Sequence, residues 1–129
     1  MAMGDTLGSG MLRTMNKPGV SSYGGSWRSI LGDPTLRHFT IAPPASLTGL
    51  VSSGVTLTWN TNNAPGVTYN VYKSSGSGPF VRITTNPIAG PSTTDSPYGT
   101  GTNYMVRGLR LETSGSGSYT NISQGSFWP

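Results

Sequence analysis

From residue 45 to residue 129 the chain repeats one pattern: short runs in which apolar and polar residues alternate, each cut off by Gly, Pro, Asn or Ser. Successive side chains of a strand point to opposite faces, so this period buries one face and wets the other. The clearest run is Val55-Thr56-Leu57-Thr58-Trp59, with Val55, Leu57 and Trp59 predicted inward and the threonines outward. The same pattern predicts strands from Leu47 to Val51, from Val67 to Lys73 with Tyr69 and Val71 on one face, from Phe80 to Ile83, from Tyr104 to Leu109 and from Tyr119 to Phe127. Between Asn86 and Ser96, Pro87 and Pro91 lack the amide a ladder needs, which predicts an edge segment. Seven short elements in this order predict an all-β sandwich of two sheets over residues 43–129.

Residues 1–42 read as an N-terminal extended arm, rich in glycine and without a sustained period. Met11-Leu12-Arg13-Thr14-Met15 predicts one or two helical turns, capped by Ser9 and stopped by Lys17-Pro18-Gly19. The alternation from Leu36 to Ile41 predicts a short strand, and Pro43-Pro44 closes it as a stiff linker. Met11, Leu12, Met15, Trp27, Ile30, Leu31, Leu36 and Phe39 give this arm more apolar surface than a solvated tail tolerates. The expectation is that the arm buries this surface, either by folding back on its own sandwich or, as the leading expectation, by adding a strand to the sheet edge of a neighbouring subunit. Repeated head to tail, such contacts build a filament or a surface layer.

Composition narrows the chemistry. A chain of 129 residues suffices for one domain with a core plus an arm. Eight Lys and Arg against four acids make it basic through scarcity of acid, and the basic residues are too scattered to track a phosphate backbone, which argues against nucleic acid. Without cysteine there is no disulfide, no thiolate ligand and no thiol nucleophile. Four dispersed acids and His38 make no metal-ligand set, and His38 with Asp33 across a Pro turn makes a strand residue and a turn former before it makes a catalytic pair. Gly76-Ser77-Gly78 and Gly115-Ser116-Gly117 lack the following helix and lysine of a phosphate loop and read as hairpin loops. No enzyme activity and no cofactor are therefore expected. No segment reaches membrane-spanning length, and the residues from Met1 to Asp5 lack a signal-peptide pattern, so an export signal is expected to have been removed or the chain to be part of something larger. Low charge with abundant Gly, Ser, Thr and Asn suggests an extracellular or cell-surface setting.

Beyond the periodicity, Trp59, Tyr69-Asn70-Val71-Tyr72, Gly101-Thr102-Asn103-Tyr104-Met105-Val106-Arg107 and the loop Gly115-Ser116-Gly117-Ser118-Tyr119 resemble a fibronectin type III domain over about residues 43–127. The resemblance implies a seven-stranded immunoglobulin-like sandwich with Trp59, Tyr69, Val71, Tyr104 and Val106 in the core. Trp59 becomes the tryptophan between the sheets, and Tyr104 a corner tyrosine whose hydroxyl returns to upstream backbone. Gly108 and the Pro-rich fifth element depart from the family pattern. In the arm, Gly4-Asp5-Thr6-Leu7-Gly8, Arg13-Thr14-Met15-Asn16 and Leu31-Gly32-Asp33-Pro34-Thr35-Leu36-Arg37 resemble the closing stretch of gingipain-type, caspase-like cysteine peptidase domains. In those enzymes the catalytic His and Cys lie upstream, so this likeness implies an accessory piece without an active site.

The leading expectation is a non-catalytic extracellular structural or interaction module that contacts itself or another surface protein through its arm. A C-terminal fragment of a secreted peptidase and a carbohydrate-binding module are the alternatives. The second needs aromatics aligned on one exposed face, for which Tyr72, Tyr98, Tyr119, Phe127 and Trp128 are available; Trp128, beside the terminal Pro129, is expected to find little of its own domain to pack on. Asn121-Ile122-Ser123 fits the N-glycosylation pattern.

Overall fold

A computed structural model describes residues 6–16, 32–35, 41–61, 64–115 and 117–129. One helix, α1 (Leu7–Met15), precedes seven strands: β1 (Ala45–Val51), β2 (Val55–Asn60), β3 (Thr68–Ser75), β4 (Val81–Arg82), β5 (Ser92–Asp95), β6 (Thr102–Ser114) and β7 (Gly117–Trp128). The chain divides into two compact units, the larger comprising Ile41–Leu111 and Asn121–Pro129. The described part of the smaller consists of residues 6–16, the turn at residues 32–35, and residues 112–115 and 117–120.

In the larger unit the strands form an antiparallel three-stranded sheet, β1-β2-β5, and a four-stranded sheet, β4-β3-β6-β7. Strand β2 shows why: Val55, Leu57 and Trp59 are buried while Thr56, Thr58 and Asn60 are exposed, the strict alternation its sequence carries. From the other sheet Tyr69, Val71, Tyr104 and Val106 complete the core, and the rings of Trp59 and Tyr69 meet edge to face at 5.5 Å. Half-buried Leu47, Val67, Ile88, Tyr98 and Trp128 close its margins.

Several boundaries move from the sequence expectation, each for a local reason. Strand β1 begins at Ala45 because Ala45 pairs with Asn60, after which the register shifts before Thr48 and Ser46 takes φ +50°. Strand β4 shrinks to two residues. The Pro-rich fifth stretch is a crossing: Ile88 exchanges backbone hydrogen bonds with Tyr69 of β3, both at 2.8 Å, and Pro91 then accepts from the Trp59 amide of β2 at 2.9 Å. Only after Pro91 does β5 pair with β2. Strand β6 runs through Gly108 to Ser114, because Gly108 fills a buried slot and does not end the strand. A Cβ there would lie 3.3 Å from Val67 and 3.6 Å from the Ser123 hydroxyl, which accepts from the Gly108 amide at 2.8 Å.

In the smaller unit α1 starts two residues before Ser9. Thr6 is the cap: its hydroxyl accepts from the Ser9 amide at 3.2 Å, so Ser9 is a donor inside the first turn and not the cap expected of it. Gly8 donates its amide to the Pro34 carbonyl at 2.8 Å, and a Cβ on Gly8 would come within 3.1 Å of the Pro34 ring. Asp33 Oδ1 accepts from both the amide and the hydroxyl of Thr35, at 2.8 and 2.6 Å, closing the turn. These bonds, from the Thr35 hydroxyl first, hold the Asp33 carboxyl below the usual carboxylate range.

Candidate interaction surfaces and the polar tie between the sheets

One charged cluster joins the two sheets. Lys73 on β3 places Nζ 2.6 Å from Asp95 Oδ2 at the end of β5, and the Tyr104 hydroxyl of β6 donates to the same oxygen at 2.6 Å. Lys73 also donates to the Pro97 carbonyl at 3.3 Å and lies 5.8 Å from the centre of the Tyr104 ring. Burial raises the Asp95 carboxyl, but the hydrogen bonds from Lys73 and Tyr104 together with the Lys73 charge outweigh it, and the group stays ionised below its ordinary range. Burial first, then the bond to Asp95 and its negative charge, push the Tyr104 hydroxyl far above the normal phenol range. The tyrosine hydroxyl thus ends on a side-chain carboxylate and not on upstream backbone as the family resemblance implied. A carboxylate held ionised by two donors is a weak base, and the arrangement is that of a tie across the sandwich.

The core residues Trp59, Tyr69, Val71, Tyr104 and Val106 are all buried. Trp128 corrects the expectation of an aromatic with nothing to pack on. As the alternate neighbour of outward Phe127 it turns inward, lying 5.9 Å from the Tyr104 ring and 6.4 Å from that of Tyr98. Gly49 makes room for it, since a Cβ there would fall 2.6 Å from the indole. Asn121, the candidate glycan acceptor, is 2% exposed, and its Oδ1 accepts from the Ile122 amide at 3.0 Å. A glycan on its Nδ2 would need the side chain to leave this buried position.

Of the arm residues, Met11 is half-buried, while Leu12 and Met15 are 62% and 47% exposed. Leu7, Met11 and Met15 follow one another at four-residue spacing with Leu12 beside them, forming an apolar stripe along α1. Trp27, Ile30, Leu31, Leu36, Phe39 and His38 lie outside the described residues. Among the described residues no three His, Asp or Glu side chains gather as a metal site, and no helix is long and apolar enough to cross a membrane. Exposed Phe127 belongs to a group the sequence did not single out as a unit, because its ring partner, Phe80, lies 47 positions earlier (127 − 80) and reaches it only through the sheet fold.

Three strands facing four, in the order β1-β2-β5 and β4-β3-β6-β7, with a buried tryptophan on β2 and a buried tyrosine on β6, define a fibronectin type III-like sandwich. The chain belongs to the Fn3-like fold class. Among solved structures it is similar to one described as the crystal structure of a Fn3-like protein from Clostridium thermocellum, at 32% sequence identity, covering 67% of this chain and 92% of that one with a TM-score of 0.43. No protein-family description matches the chain, and no curated protein matches it. The peptidase-like reading of the arm has no counterpart in these comparisons.

Proposed function

We propose that this chain is a non-catalytic interaction module that works outside the cell or on its surface and associates with further copies of itself through its N-terminal arm. The Fn3-like fold supports the first part, since such sandwiches serve as modules whose activity resides in grafted surfaces. The observation that carries the second is α1: a capped helix of nine residues with Leu12 and Met15 turned to solvent. An isolated helix of this length is marginal in water, so a helix that leaves Leu12 and Met15 open gains stability from a partner. A low-charge surface rich in Gly, Ser, Thr and Asn accords with an extracellular setting.

Sedimentation of the full chain tests the association. The unmodified chain is expected to populate dimers or larger species in the micromolar range, and Leu12→Glu combined with Met15→Glu to return it to monomer with an unchanged β-sheet circular dichroism spectrum. A full chain that stays monomeric at millimolar concentration contradicts the proposal.

A further inference from the structure

The outer face of the four-stranded sheet, turned away from the core, carries a second cluster. Arg82, Tyr72 and Met105 lie side by side by register across β4, β3 and β6, and Asn70 and Arg107 form the next row. The loop after β3 folds back over this face: the Ser74 hydroxyl donates to the Gly78 carbonyl at 2.8 Å, and Asn103 Nδ2 donates to the Gly76 carbonyl at 3.0 Å. Phe80 leaves that loop to meet Phe127 of β7 edge to face, with ring centres 5.6 Å apart. At Gly125 the Met105 sulfur occupies the place of a side chain, since a Cβ there would lie 2.5 Å from Sδ and 3.4 Å from Cζ of Phe127. The result is an external apolar patch with Phe127 63% exposed at its rim.

Charge decides what fits it. Arg82 is exposed, and Arg107 Nε donates to the Ser123 carbonyl at 2.7 Å, which fixes its guanidinium plane. Asp33 is bound to Thr35, and Asp95 to Lys73 and Tyr104. A second copy of a chain with net charge +4 would bring like charge to this face. A sugar platform needs an aromatic face laid flat, whereas Phe80 and Phe127 cross at 64°. We propose that this face docks an acidic peptide segment of another protein, one apolar side chain of which packs on Phe127 and Met105 while its carboxylates meet Arg82 and Arg107. The surface goes beyond the arm-mediated association and shares no residue with it.

The test is titration of the isotope-labelled full chain with three probes at low salt, followed by amide chemical shifts: an acetylated Glu-Glu-Leu-Phe-Glu-Glu peptide, its lysine counterpart and an oligogalacturonate. The glutamate peptide is expected to shift Tyr72, Arg82, Met105, Arg107 and Phe127 saturably, and the lysine peptide to leave them unmoved. Phe127→Ser is expected to weaken binding by about tenfold, the loss of one aromatic anchor. Arg82→Glu, being exposed, is expected to abolish the preference for the acidic peptide and to melt like the parent, while Phe127→Ser, which loses the ring contact with Phe80, is expected to melt slightly lower but to keep the β-sheet spectrum at the titration temperature. The proposal is overturned if the glutamate peptide gives no saturable shift, if its shifts fall elsewhere, or if only the oligogalacturonate moves the face. Shifts at these residues driven by protein concentration alone overturn it in favour of a second copy. Because none of the probes engages α1, failure here leaves the sedimentation result standing, and the reverse holds too.

Discussion

Replacing Asp95 by alanine is expected to cost about 3 kcal/mol of stability, read by urea unfolding at neutral pH, because it strips a charged partner from two donors at once. Lys73 and Asp95 retain 29% and 18% of their side-chain exposure, so water softens the loss and the figure stays at the lower end for a broken internal ion pair. Tyr104→Phe removes only one of the two bonds and is expected to cost about 1.5 kcal/mol. The same cluster sets the pH profile. The Asp95 carboxyl is depressed in the fold, so its contribution is complete above the unfolded value of about 4 and is lost as pH falls through the folded value. The Tyr104 hydroxyl is raised, so its contribution is complete below about pH 10 and is lost as pH rises beyond that, when the unfolded chain ionises first. Asp95→Ala should therefore flatten the acid limb of the stability profile and, by removing the bond and charge that help raise Tyr104, part of the alkaline limb; Tyr104→Phe should flatten the alkaline limb and, through the lost bond to Asp95, only part of the acid one.

Trp59→Ala is expected to have the largest effect of any single substitution, about 4 kcal/mol, since a buried tryptophan is exchanged for a cavity between two sheets. Trp59 is 2% exposed and packs on Tyr69, so no solvent-facing rearrangement can fill the space. Trp59→Phe separates packing from polarity. Trp59 Nε1 is buried without a hydrogen-bond partner, so phenylalanine gives up volume but also removes an unsatisfied donor. Its cost is expected to be less than half that of alanine in the same unfolding experiment. Equal costs for the two would show that the indole N–H contributes to the fold.

What the sequence made legible follows from period and identity. The alternation in Val55-Thr56-Leu57-Thr58-Trp59 specifies which face of β2 is inside because the strand carries no competing signal. The inner face of β3 was legible for the same reason at Tyr69 and Val71. Where a residue's partner is distant in the chain, the reading fails. Nothing local says that Asp95 and Tyr104 meet, that Gly49 clears space for Trp128, or that Phe80 reaches Phe127 across the sheet. The helix cap was misplaced for a different reason: Thr6 and Ser9 both suit a cap, and the Gly8 contact with Pro34 favours the earlier start. Among the residues proposed to make contacts, the sequence grouped those of the whole arm by their apolar excess but named the outer sheet face only as separate aromatics.

The role of the arm is tested most directly by hydrogen exchange at the amides of α1 as protein concentration is raised from micromolar to millimolar. If copies associate through Leu12 and Met15, protection of residues 11–16 rises with concentration while the core amides of β2 and β6 stay constant. Exchange in α1 that is independent of concentration over that range would contradict the account.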